Sequence, residues 1–194
     1  MLFGKKSLAA SARPATSRGR RGVFPSPGLK ETLEHLGGGG PVLDLGPADD
    51  GTLSFLGELH HEVQVADLDA AALARGDELP YEQEAYRAVL GWDILFRVPQ
   101  EQRSALADTL TGWLQPGGVL FLILPLDSQG LGWSYRFRIV GPSRLEYRPG
   151  RALLAHPVPS NREVLSLFPG LECNGARILR HGAREFVLRR PPAG

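Results

Sequence analysis

Cysteine is nearly absent from this 194-residue chain, where Cys173 stands alone. An internal disulfide is therefore excluded, and nothing asks for an oxidising compartment. A lone thiol reads most simply as a small buried apolar side chain. Long apolar runs are missing too. The longest, residues 119–124, is stopped by Pro125 and suits a buried strand rather than a bilayer span. No membrane span is expected, and the expected setting is cytoplasmic. There is no Gly-Lys-Ser/Thr phosphate loop. Ser54, Ser128 and Ser160 lack the context of a nucleophile elbow. His60 and His61 have no second ligand pair beside them, so no metal site is expected.

Acidic residues are absent from positions 1–22, which hold Lys5, Lys6, Arg13, Arg18, Arg20 and Arg21. The rest of the chain has 16 basic against 21 acidic residues, a formal −5, within an overall +1. The arm has no continuous apolar stretch and makes a poor secretory signal. A disordered basic tail is the plain reading, with some likeness to an organelle transit peptide. Such a tail can touch nucleic acid, an anionic surface or a larger complex by counterion release, or be a solvated leader with no partner.

The whole chain, 42% hydrophobic and 22% charged, has the composition of a soluble protein with one core, and residues 23–194 are expected to form a single domain. Leu29, Leu33 and Leu36 recur at helical spacing before four glycines. Strands are predicted over 41–45, 62–66, 86–90 and 119–124. Helices are predicted over 52–59, capped by Thr52 or Asp50, over 70–74 and over 100–114. This alternation predicts a parallel sheet with helices on both faces. Residues 135–140 and 144–148 alternate about Gly141-Pro142-Ser143 and predict a β-hairpin, an insertion at about 133–149. Ser160 with Glu163 forms a capping box for a helix over 161–168. Two closing strands are expected near 171–179 and 185–188, separated by His181-Gly182.

In an open α/β sheet, ligands bind beyond the carboxyl ends of the strands, at the switch in strand order. Three polar clusters fall at such ends: residues 44–51, 67–69, and Trp92-Asp93. Val42-Leu-Asp-Leu-Gly-Pro-Ala-Asp-Asp-Gly51 resembles the first motif of class I S-adenosylmethionine (SAM) methyltransferases. Val65-Ala-Asp67-Leu68 resembles their second strand, which ends in an acid. Leu114-Gln-Pro-Gly-Gly118 resembles their turn into the fifth strand, and the closing strands resemble their reversed hairpin. The likeness covers roughly residues 30–190 in the right order.

The resemblance implies an α/β, Rossmann-like class I methyltransferase fold, with a mostly parallel central sheet and a C-terminal antiparallel hairpin. It implies SAM as cofactor and an unidentified methyl acceptor. Gly46 would bring bare backbone to the methionine part, with Ala48 adding only a methyl group beside it, and Asp44 would shape the loop and receive the ammonium. Asp67, with Leu68 beside it, would take the ribose hydroxyls, and Asp77 would lie on the adenine side. Trp92 and Asp93 would line the substrate side, with Asp93 as the base if one is needed. Simpler roles stand beside these: turn caps for Asp44, Asp67 and Asp93, a surface loop acid for Asp77, packing for Trp92. The loop departs from the family at Ala48 and Asp50, where glycines are usual, and Asp49 and Asp50 add negative charge. The segment after Asp69 is short. These departures favour the other reading, a non-catalytic methyltransferase-like binding or assembly protein.

Overall fold

The computed structural model describes residues 22–66, 81–126, 133–152 and 156–194. Asp67, Leu68, Asp77, the helix expected over 70–74 and the basic residues 1–21 lie outside these.

The described elements run as follows. Strand β1 (Gly22–Pro25) leads into helix α1 (Pro27–Leu36), then β2 (Gly40–Asp44), α2 (Asp50–Glu58) and β3 (His61–Val65). After the undescribed stretch come β4 (Tyr86–Trp92), α3 (Ile94–Arg97), a short 3₁₀ turn, α4 (Arg103–Trp113) and β5 (Leu114–Pro125). The hairpin β6 (Trp133–Gly141) and β7 (Arg144–Ala152) follows. The chain closes with α5 (Asn161–Leu167), β8 (Glu172–Cys173), β9 (Arg177–Ile178) and β10 (Ala183–Arg189).

The main sheet has the order β3-β2-β4-β5-β10-β8, with β9 also paired to β10. Strands β3, β2, β4 and β5 are mutually parallel, whereas β10 runs antiparallel to β5 and β8. This is the expected α/β sheet with reversed closing strands. The parallel strands alternate between two apolar layers, as the period of two requires. Leu43, Val89, Leu120 and Leu122 face α4 and α5 through Leu110, Trp113 and Val164. Val42, Ala88, Leu90 and Phe121 face α1 and α2 through Leu29, Leu36 and Leu56, and meet Ile139, Leu145 and Tyr147 of the hairpin.

A second sheet, β1-β7-β6, lies over that layer. The hairpin turns at Pro142-Ser143, as its sequence predicts. Strand β1 was not expected: its few residues pair with β7 from Gly22↔Tyr147 to Pro25↔Arg144. Four residues containing a proline carry too little pattern to announce a strand, and only the partner edge makes one.

Other details depart from the sequence pattern. Helix α2 is capped by Asp49, whose Oδ1 accepts from the Gly51 and Thr52 amides, and not by Thr52 or Asp50. The strand expected over 171–179 is two short pieces, with Gly175 at φ +96° between them. Cys173 is half-buried against the core rather than fully enclosed. The capping box at Ser160 and Glu163 forms as read.

Candidate cofactor crevice at the strand ends

The chain leaves β2 on one side for β3 and occupies the other side with β4, so the strand order switches at β2. In open α/β sheets ligands bind at such a switch, beyond the carboxyl ends of the strands, which makes this the candidate crevice. Asp44 ends β2 with Gly46 just past it, and Trp92 ends β4 with Asp93 just past it.

Asp44 is 4% exposed. Its Oδ1 accepts two hydrogen bonds, from the Gly46 amide at 2.9 Å and from the Trp92 indole Nε1 at 2.5 Å. Burial pushes the Asp44 carboxyl above the usual range, while these two bonds pull it back and nearby Asp49 adds to the rise. No bond falls on Oδ2 among the described residues.

Trp92 packs against the Asp44–Gly46 turn. Its backbone sits at φ +47°, which a bulky side chain rarely adopts. The indole is held there by Asp44, by stacking on Phe137 at 5.2 Å between centroids, and by an edge contact with Phe121. A Cβ on Gly46 would come within 2.9 Å of the indole nitrogen. Glycine at 46 is thus required by the packing of Trp92, a reason the sequence did not reveal.

The β6–β7 hairpin roofs the turn. The Ile139 amide donates to Thr52 Oγ1 at 3.0 Å. Arg138 Nε lies 3.1 Å from Asp49 Oδ1 and only 2.1 Å from where a Cβ on Gly51 would stand. Arg148 lies 3.8 Å from Asp49 Oδ2. The negative charge at Asp49 is therefore countered by two guanidinium groups, a pairing that local sequence gave no sign of. Ala48 and Asp49 line a cleft of about 280 Å³ whose other wall includes Arg136, Arg138 and Arg148.

Asp93 is buried and ion-paired to Arg97 at 2.5 Å. The same pair grips the hairpin: the Tyr135 amide approaches Asp93 Oδ2 at 3.5 Å, and Arg97 donates to the Tyr135 carbonyl at 3.2 Å. Asp93 does not cap α3 through its side chain. The structure therefore brings Asp44, Gly46 and Trp92 together at the strand ends. Ala48 lines the adjoining cleft, and Asp93 lies below the hairpin.

No family model matches the chain, and no curated protein matches its sequence. Solved structures do match its fold. A SAM-dependent methyltransferase from Mesorhizobium loti superposes with a TM-score of 0.57 at 16% identity, covering 84% of this chain and 96% of that one. The 1,6-didemethyltoxoflavin-N1-methyltransferase of Burkholderia thailandensis, bound to 1,6-didemethyltoxoflavin and S-adenosylhomocysteine, gives 0.53 at 16% identity, covering 85% and 77%. A SAM-dependent methyltransferase from Aquifex aeolicus gives 0.50 at 14% identity, covering 83% and 86%. The chain has the class I methyltransferase fold. No helix among the described residues is long and apolar enough to cross a membrane.

Proposed function

We propose that the chain is a SAM-dependent methyltransferase whose acceptor is not yet identified. The observation that supports this best is the carboxylate–glycine turn at the strand-order switch, with Asp44 buried, raised in pKa and holding one oxygen unengaged. A cofactor ammonium is the complement of that oxygen. The backbone of residues 46–48 would carry the methionine part. Asp67 with Leu68 would take the ribose hydroxyls, and Asp77 the adenine side. The charge at Asp49 is no obstacle to the cofactor's carboxylate, because Arg138 and Arg148 offset it.

When bound, the cofactor supplies a methyl group on a sulfonium. An acceptor's lone pair would take that methyl, with the neutral thioether as leaving group and the acceptor's proton passing to a base. This chemistry needs alignment more than acid–base groups. The chain's part is to fix the two strand ends and to seat the hairpin above them. Asp93 does the latter through Arg97 and Tyr135, and serves as base only by exchanging that ion pair for the acceptor's proton.

One observation favours the second reading, a non-catalytic methyltransferase-like protein: the bare faces of Gly46 and Gly51 are filled by Trp92 and Arg138. Calorimetry with SAM and S-adenosylhomocysteine separates the two. Saturable binding, weakened about tenfold or more in Asp44→Asn by loss of a charge-assisted contact, supports the enzyme. No heat at millimolar ligand supports the second reading. In that second reading the basic residues 1–21 contact nucleic acid or a larger complex. The sign of that contact would be a salt-sensitive interaction lost on their deletion.

A further inference from the structure

The outer face of the hairpin carries an arrangement that its own stability does not explain. Arg136 on β6 and Arg148 on β7 are direct cross-strand partners, with Arg138 opposite Glu146 in the next pair on that face. Like charges directly opposite destabilise a strand pair. Glu146 turns to Arg148 at 2.6 Å, and Asp49 is shared between Arg138 and Arg148. Asp49 also caps α2 through Oδ1. Arg136 is exposed and makes no ion pair among the described residues. The cleft between this face and residues 47–49 thus has three guanidinium groups in its walls against the Asp49 carboxylate, which already caps α2, and the Glu146 carboxylate beside Arg148.

Guanidinium forks match carboxylate and phosphate oxygens two at a time. A concavity of about 280 Å³ suits a small molecule, not a polymer backbone. It lies one aromatic layer from the crevice, since Phe137 lines it and stacks on Trp92, which bonds Asp44. We propose that this cleft is an anion site in which Arg136 and Arg148 grip the carboxylate or phosphate of a small methyl acceptor. The word acceptor rests on the methyl-transfer reading; the anion site does not.

The probes are inorganic phosphate and succinate, titrated into the full chain and followed by calorimetry, with SAM titrated separately. Saturable millimolar binding of either is expected, and the preferred probe tells phosphate from carboxylate. Arg136→Gln changes an exposed side chain and should weaken that binding about tenfold, as loss of one charge-assisted contact does. The same change at Arg87, which bonds the Gly39 carbonyl away from the cleft, should not. Arg136→Gln should leave SAM affinity within about twofold. Absence of saturable binding to both probes, or binding untouched by Arg136→Gln, overturns the anion site. Competition between the probe and SAM, with both weakened by Arg136→Gln, overturns the acceptor assignment in favour of the cofactor's own carboxylate. Tight binding of a single-stranded RNA oligomer through Arg136, without small-anion binding, overturns the small-molecule class. Anion binding without any SAM binding keeps the site and sinks the methyl-transfer reading alone.

Discussion

Two buried carboxylates, Asp44 at the end of β2 and Glu185 in the middle of β10, are built from similar parts and left in different states. Each accepts one backbone amide and one side-chain donor. For Glu185 these are the Gly28 amide at 2.7 Å on Oε2 and the Ser26 hydroxyl on Oε1. Both oxygens are used and the side chain is 0% exposed. The pair finishes the start of α1, where Ser26 also accepts from the Leu29 amide and Pro27 has no amide to satisfy. Asp44 stacks both bonds on Oδ1. The difference separates a carboxylate with both oxygens bonded within the folded chain from one that carries both bonds on a single oxygen. Burial alone would not tell them apart.

The largest expected effect tests the finished member. Glu185→Ala leaves the Gly28 amide and the Ser26 hydroxyl buried without their acceptor, and should destabilise the chain by about 3 kcal/mol in urea titration. SAM affinity of the protein that remains folded should be unchanged. A SAM affinity that falls in step with stability would mean that both carboxylates serve the ligand, and the contrast would be lost.

A smaller effect tests the other member. Trp92→Phe keeps a ring to stack on Phe137 but removes one of the two donors to Asp44. A loss of about 1–2 kcal/mol is expected, as for a buried hydrogen bond to a charged group. An unchanged urea midpoint would mean that the indole bond contributes nothing to holding Asp44, and the φ of Trp92 would need another cause.

The same contrast marks what the sequence could tell. The turn after β2 was legible because its signal is local: an apolar run, then Asp44, Gly46 and Pro47 in adjacent places. The Ser160–Glu163 box was legible for the same reason, its parts being three residues apart. Glu185 was not. It lies on a strand covered on both faces, which shows no alternation to reveal an inward acid, and its partner Ser26 is 159 positions away. The buried Arg184 meets Asn161 and the Pro159 carbonyl, and Arg103 reaches the Leu95 carbonyl. Both look like surface arginines in one dimension. The roof over the crevice was half legible. The hairpin could be read from its alternation and turn, but not its seat on Asp49 and Thr52, because the residues that meet across it come from separate elements.

The smallest effect is also the sharpest, because it titrates both carboxylates in one molecule. Burial raises Glu185 from its ordinary 4.5, against the bonds from Ser26 and Gly28, and raises Asp44 from 3.8, against those from Trp92 and Gly46. A raised carboxyl holds its proton more tightly in the folded chain than in the unfolded one. Its contribution to stability is then fully present below the unfolded pKa and is lost as pH rises through the folded pKa. Measured against Glu185→Gln, which does not titrate, the wild type should lose ground as pH climbs from 4.5, then level off. Against Asp44→Asn it should do so from 3.8 upward. Saturating SAM should split the two. A ligand ammonium on Oδ2 favours the charged form of Asp44, so the slope due to Asp44 should shrink while the slope due to Glu185 stays. If SAM flattens both slopes, or neither, the unengaged oxygen of Asp44 is not where the ligand binds.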